Sequence, residues 1–549
     1  MSESRAAGRA DHRPLRSIAL VAIVLLAAGV RFWGIGFGLP HTQARPDETQ
    51  IIDVTRKFLA GDLRPNFFDY PWLYMWVSTG LYLCYYLVGL IQGWFGSVAD
   101  LVRSWPLHWE PFFLINRVLS ATLGSLTVLA VFGTARRLWD RQTALVAAFF
   151  MALAFIHVRD SHFGTTDAMM TFFIVLSTMW LMDGHLTGRR RSFVLAGVMG
   201  GLATATKYNA GVIMFPVLVS QAAQMIAARR ATGRMAFDGR MFWFGVPCAA
   251  AFLIGVPFLL FDYERFRAAM ALLNESMNLG TGGVSASLGN GWLHHLRFSL
   301  FYGVGFPLLC LSLVAAVILL IRRTGVTIVL LTFPIVYFYV IGSVRNLFFR
   351  YAVPVVPFLC LVAAWAVVAF SRRLARSRGS SAPATSVVIM WALAVVIIAP
   401  SAMSAIRFDR IAAATDNRVV VARWFDDNIA PGASILQSGS SYGYVQFTPK
   451  RFDPWLWDGR RLLFTTLDRR PAVGNPDYIL IQDSPLPNAT QEQVTAYLAQ
   501  GYRIEVQFKA LSIDRPRVYD LQDAFYIPFA DFAGVDRPGP NFTLYKHVH

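Results

Sequence analysis

Apolar segments of about twenty residues recur along most of this chain, and the short loops between them are rich in arginine. That pattern constrains the fold more than any other feature, because in lipid every backbone polar group must be satisfied within the segment itself. Only 15% of the 549 residues are charged, against about 25% in soluble proteins. The mean hydropathy is +0.46. Segments near 15–38, 111–134, 143–158, 168–183, 192–206, 209–227, 241–261, 297–321, 326–343, 351–370 and 386–404 predict about 11–13 transmembrane helices. The first follows a basic head containing Arg5, Arg9, Arg13 and Arg16, and no small-x-small cleavage pattern ends it, so it reads as a retained anchor.

The net charge of +17 sits in short loops, "ARRLWDR", "TGRRRS", "AARRATGR", "LIRRTG" and "SRRLARSR", which is the signature of cytoplasmic loops and not of a nucleic-acid surface. With those loops inside, the N-terminal tail (1–14) is cytoplasmic and the first helix delivers "ARPDETQIIDV" to the outer face. Parity then requires the aromatic-rich segment 71–91 to lie along the outer interface, so that outer loop one runs over about 39–110. The transmembrane part occupies 15–404. From 405 to 549 the character changes: an amphipathic helix after Asp416, a stop at Pro431-Gly432 followed by a strand, the strand-like "PDYILIQD" and "YRIEVQFKA" and the helical "TQEQVTAYLAQGY" predict an α/β domain on the outer side. The four cysteines (Cys84, Cys248, Cys310, Cys360) all lie in apolar segments, none at metal-ligand spacing.

Ionisable residues at membrane boundaries are costly and rarely idle. The outer loops gather Asp47, Glu48 and Asp69 with Tyr70; then Arg159, Asp160, His162 and Asp167; then Lys207; then Arg345, Arg350 and Tyr351. Carboxylates and cations together at an outer interface suit sugar transfer from a lipid-borne phosphate donor. A carboxylate takes the acceptor hydroxyl's proton, while Arg and Lys hold the phosphate and stabilise the charge growing on it. The same acids would also serve as first-turn acids of helices, and Arg159 beside Asp160 would equally form a local ion pair. His162 belongs to no recognised ligand pattern, and its structural reading is preferred.

The stretches "RPDETQIIDVTRKFLAGDLRPNFFDYPWLYMW", "RDSHFGTTDAMMTFF", "GLATATKYNAG" and "RNLFFRYAVPVVPFL" resemble the dolichyl-phosphate-mannose protein mannosyltransferase-like group, which includes aminoarabinose transferases of lipid A and belongs to the GT-C superfamily. The resemblance implies a GT-C fold in the bacterial inner membrane, a polyprenyl-phosphate sugar donor and an inverting reaction. It implies Asp47, Glu48 and Asp167 as catalytic acids, with Asp47 as base. Lys207, Arg345, Arg350 and Tyr351 become candidates for the donor phosphate, and Asp69, Tyr70, Arg159 and His162 secondary candidates. One departure is "FFDYPWLY", where the aminoarabinose branch carries a lysine before Pro-Pro. It argues against aminoarabinose as the sugar, and Lys207 could supply the missing charge. No cofactor is expected to be required, and nothing in the spacing supports a divalent metal. The acceptor could be a lipid, a glycan or a protein. Competing readings are a lipid-linked sugar flippase, which would carry charges at mid-membrane and matching halves, and a polysaccharide polymerase or ligase using lipid diphosphates.

Overall fold

The computed structural model describes residues 13–105, 108–280, 282–322, 324–377, 383–486, 492–523 and 525–548. The chain divides into two compact units. The first contains Met1–Phe32, Ile51–Trp105 and Ile115–Ile406; the second contains Trp33–Gln50, Pro106–Leu114 and Arg407–His549.

The first unit is a helical membrane protein. Among the described residues, seven helices are long and apolar enough to cross a bilayer, and an eighth span arises if the bent pair Gly291–Val304 and Phe306–Arg322, which meet at 117°, counts as one. Shorter apolar helices at Ile18–Phe32, Arg141–Leu153 and Arg240–Gly255 complete the set. The loop "SRRLARSR…SAPATS" includes residues 378–382, which lie outside the described residues. The glycine-rich stretch after Gly280 contains the short helix Gly282–Ser287.

Local chemistry sets where these helices break. Asp140 caps the Arg141–Leu153 helix by accepting from the N–H groups of Gln142 and Thr143. At its other end, the fully buried Arg31 donates Nη1 to the Ala152 carbonyl (2.9 Å) and Nη2 to that of Met151 (3.1 Å), satisfying carbonyls a helix end leaves orphaned. Ser401 completes the break, accepting from the Phe155 N–H and donating to the Leu153 carbonyl. The Arg190–Thr206 helix packs closely on the Arg240–Gly255 helix because Gly197 and Gly201 carry no side chain. A Cβ on either would come within 2.2 Å of the Phe244 or Cys248 carbonyl oxygen.

The second unit contains a six-stranded mixed sheet in the order β3-β2-β1-β4-β6-β5. Its strands are β1 Ser434–Gln437, β2 Asp453–Asp458, β3 Leu463–Thr465, β4 Tyr478–Asp483, β5 Tyr502–Phe508 and β6 Asn541–His547. β1 pairs in parallel with β2 and β4, whereas β6 is antiparallel to both β4 and β5. The helix Asn417–Asn428 lays Val421 and Phe425 against one face of the sheet, with Ile435, Leu480, Phe542 and Leu544. Helix Glu492–Leu498 brings Val494 to the opposite layer, with Leu436, Ile479 and Trp455. β1, β4, β5 and both helices fall where the sequence predicts them, although residues 490–491 of the second helix are not described. β2, β3 and β6 are additional. Strand β6 alternates polar residues with its two buried ones, Phe542 and Leu544, and so carries little apolar signal.

Candidate active site

Asp167 is the second residue of the Thr166–Thr187 helix, whose dipole favours an acid there. The start of that helix is fixed from outside. The Tyr74 hydroxyl donates to the Asn116 carbonyl (2.9 Å) and lies 3.0 Å from Ser120 Oγ, and Ser120 donates to the Thr165 carbonyl (3.3 Å). Lys207 terminates the Arg190–Thr206 helix, its backbone N–H bonded to the Ala203 carbonyl. The glycine-mediated packing of that helix fixes the level at which Lys207 emerges.

The two side chains meet: Lys207 Nζ is 2.7 Å from Asp167 Oδ1, with side-chain exposures of 10% and 3%. The ammonium also lies over two aromatic rings, 5.7 Å from the Tyr70 centroid and 5.3 Å from that of Tyr351. Four candidates from four separate stretches therefore share one place. The Tyr351 hydroxyl donates toward Met277 Sδ at 3.7 Å, and the Arg345 backbone N–H donates to the Met277 carbonyl at 2.9 Å, tying this segment to the Tyr263–Leu279 helix. Just beyond Lys207, Asn209 Nδ2 donates to the Tyr337 hydroxyl at 2.9 Å.

The other candidates separate by environment. Arg350 is buried, its guanidinium 4.4 Å from the centroid of Phe348, whereas Arg345 and Asp69 are exposed. Arg159 and Asp160 form a buried local pair at 3.3 Å, and Arg159 lies over Phe163. His162, in the turn after helix Phe155–Asp160, donates Nδ1–H to the Val158 carbonyl at 2.9 Å, a local use. No group of three or more His, Cys, Asp or Glu residues able to hold a metal occurs among the described residues.

Asp47 and Glu48 belong to the second unit, in the first turn of helix Pro46–Leu59. Glu48 is fully buried, while the Asp47 side chain is 24% exposed and 3.4 Å from Arg45. From Ile51 onward the same helix belongs to the first unit, where Ile51, Val54 and Phe58 share a hydrophobic cluster with Trp72 and Met169. Sequence reasoning passed over the buried Arg31, whose Nη2 lies 3.1 Å from His157 Nδ1, and the fully buried Asn116-Arg117 inside an apolar helix. A charge embedded in a spanning segment was the signal available for both arginines.

Residues 102–273 match the model of the dolichyl-phosphate-mannose-protein mannosyltransferase family. A Pseudomonas aeruginosa undecaprenyl phosphate-alpha-4-amino-4-deoxy-L-arabinose arabinosyl transferase is 28% identical over 181 residues, 32% of this chain and 30% of the relative's own length. Among solved structures, an oligosaccharyltransferase from Archaeoglobus fulgidus aligns over 80% of this chain and 64% of its own at 13% identity, with a TM-score of 0.50, a likeness of fold. ArnT from Cupriavidus metallidurans in the apo state aligns over 97% of this chain and 98% of its own at 14% identity, with a TM-score of 0.48. Residues 102–273 are thus similar to the protein mannosyltransferase family, and the fold of the chain is like that of an oligosaccharyltransferase.

Proposed function

We propose that the protein is an inverting sugar transferase that takes its sugar from a polyprenyl-phosphate donor and delivers it to an acceptor hydroxyl at the periplasmic face of a bacterial inner membrane. One observation carries this reading. The Asp167–Lys207 pair, walled by Tyr70 and Tyr351, is assembled from four distant stretches at helix ends. An ion pair so nearly dry contributes little net stability against apolar packing, so its presence favours a ligand role. Asp167 occupies one of three ammonium N–H donors, leaving the others for a phosphate oxygen. The named donor of the Pseudomonas relatives is an undecaprenyl-phosphate sugar.

In the proposed reaction an acceptor oxygen attacks the anomeric carbon as its proton passes to a carboxylate, and the bond from that carbon to the phosphate oxygen breaks. The polyprenyl phosphate leaves, and the anomeric centre inverts. Asp47 is the proposed base, since its side chain keeps contact with solvent while Glu48 is buried. Lys207 and Arg350 would stabilise the leaving phosphate, with Tyr351 and the exposed Arg345 beside them in the chain. The reaction as proposed requires no metal. The sequence departure at Asp69-Tyr70 favours a sugar other than aminoarabinose.

The proposed orientation has structural support. Trp109 Nε1 donates to the Pro40 carbonyl at 2.6 Å, and the two ends of loop one fall in a single unit. Two ends that touch lie on one side of the bilayer, so the chain between them crosses an even number of times. Among the described residues, Leu73–Ile91 is the one helix in that stretch long and apolar enough to span. This favours an interfacial position for it, with the sheet unit on the outer side. Incubating the purified protein with defined polyprenyl-phosphate sugars tests the function. Release of polyprenyl monophosphate with sugar transfer is the expected result, and release of a diphosphate would instead favour a polymerase or ligase.

A further inference from the structure

The long helix Pro383–Ala412 ends in the second unit with two arginines on one face. Positions 383–406 carry no charge. At about 1.5 Å per residue they span about 36 Å, slightly more than the roughly 30 Å of a hydrocarbon core. Arg407 is therefore the first charge at the far end of the span, and Arg410, three residues on, shares its side of the helix. That is the level of the lipid headgroups. Both side chains are exposed, and among the described residues neither guanidinium forms an ion pair or a hydrogen bond. Asp409, between them, is buried.

These arginines do not stand on a bare helix surface. With Ile411 they line a cavity of about 390 Å³ whose other wall is the turn from Phe532 to Asp536, all of it within the second unit. The turn is firmly held. The Ser512 N–H donates to the Gly534 carbonyl and the Asp536 N–H to the Ala510 carbonyl, both at 2.9 Å. Arg517 Nη2 donates to the Ala533 carbonyl at 2.8 Å. Gly534 has φ at +70°, and an added Cβ there would fall 2.3 Å from Ser512 Oγ. Phe532 and Val535 give the cavity apolar, largely buried walls, and Asp536 adds a carboxylate to its lining.

We propose that this cavity binds the headgroup of an anionic phospholipid, with its phosphate on Arg407 and Arg410 and a headgroup hydroxyl donating to Asp536. A guanidinium meets phosphate through paired N–H donors, and two of them without an internal counter-charge take theirs from outside the protein. Lipid supplies that phosphate at this depth. Two positive groups against one negative favour an anionic headgroup over a zwitterionic one. Ile411, Phe532 and Val535 suit the glycerol backbone and the first acyl carbons. Phosphatidylglycerol meets each requirement, since its terminal glycerol carries hydroxyls that can donate to a carboxylate. The site is independent of the catalytic reading, which assigns none of these residues to donor, acceptor or proton transfer.

The test titrates the full-length protein in detergent with phosphatidylglycerol or phosphatidylcholine and counts bound lipid by native mass spectrometry. The wild type should prefer phosphatidylglycerol by about fivefold or more. Arg407→Gln with Arg410→Gln should weaken the tightest phosphatidylglycerol about 10- to 30-fold. Arg229→Gln with Arg230→Gln removes two other exposed arginines, from the last turn of helix Met214–Thr232, and should change that affinity less than about twofold. Equal losses in the two double variants would mean that overall charge alone attracts the lipid, and would overturn the proposal. Ala533→Trp fills the cavity without altering charge and should weaken binding about fivefold or more; an unchanged affinity there overturns it too. So does an absence of preference over phosphatidylcholine. Inorganic phosphate, titrated in place of the lipid, should bind far more weakly, and equal affinity would assign the cavity to a free anion instead.

Discussion

Two buried acid–base pairs open helices in this chain, one in each unit, and their construction differs. In the sheet unit, Asp416 caps the Asn417–Asn428 helix and grips Arg418 two residues later, with contacts of 2.9 Å to Nε and 2.7 Å to Nη2. Arg418 then donates to the Tyr442 carbonyl, and neighbouring Asn417 donates to the carbonyls of Phe508 and Pro540. The Arg418 and Asn417 bonds beyond the pair all end on backbone carbonyls. In the membrane unit, Asp167 reaches Lys207 across 40 residues, and two aromatic rings flank the ammonium. The first pair uses its charge to close a local structure. The second links two helix ends through side chains alone, and its ammonium is the one proposed to meet the donor phosphate.

The comparison breaks most readily at Lys207. Lys207→Met should reduce sugar transfer about 100- to 1,000-fold, the range seen when a group stabilising developing charge is deleted. Asp167→Asn strands an ammonium in a nearly dry site, which costs about 3–5 kcal/mol when one partner of a buried pair is removed. Combining the two substitutions should restore the melting temperature without restoring turnover. A double variant that remains active would show that the pair is as structural as its counterpart in the sheet unit.

Next in size is Asp416→Ala, which removes a cap and leaves Arg418 buried without its counter-charge. Destabilisation of about 3–5 kcal/mol is expected, read as loss of protection in amide hydrogen exchange over Asn417–Asn428. Donor KM measured on the remaining folded protein should not move. A shifted KM would give this pair a ligand role and erase the distinction.

The sequence exposed the members of the membrane cluster but not their partnership. Asp167, Lys207, Arg350 and Tyr351 stand out because charges beside apolar segments are expensive, yet nothing local says that Lys207 meets Asp167 and not Asp160. That choice is made by helix packing, through Gly197 and Gly201 and through the Tyr74–Ser120–Thr165 connection. The Asp416 cap, by contrast, was legible because its partners lie within two residues. Asp523 was illegible: it meets Arg45 across 478 positions of chain, within a unit gathered from three separate segments.

A smaller, pH-dependent effect sharpens the contrast from within the sheet unit. His41 donates Nε2–H to the Tyr444 carbonyl and accepts from the Gln43 N–H at Nδ1 (3.2 Å), so the neutral ring satisfies both neighbours. Burial, reinforced by Arg418, lowers its pKa from 6.5 to about 3. Between those values the unfolded chain binds a proton that the folded one refuses, so this contribution is complete above pH 6.5 and is lost as pH falls toward 3. About 2 kcal/mol of it is lost by pH 5, visible as a falling melting temperature between pH 7 and 5. His41→Gln, which can keep a donor to Tyr444 but does not titrate, should flatten that slope.

The smallest effect expected concerns two arginines that the sequence could not rank. Arg345 and Arg350 lie five positions apart beside the same Tyr351, yet Arg345 is exposed and its ordered contact is a backbone bond to Met277, while Arg350 is buried over Phe348. An alanine side chain at 345 leaves that backbone bond in place. Surface substitutions of this kind usually stay within about 0.5 kcal/mol, so Arg345→Ala should change kcat/KM less than about threefold. Arg350→Ala deletes a buried cation beside the proposed phosphate site and should cost about tenfold or more. A reversed order would assign the phosphate to the exposed Arg345 and would count against the buried Arg350 and Lys207 as its holders.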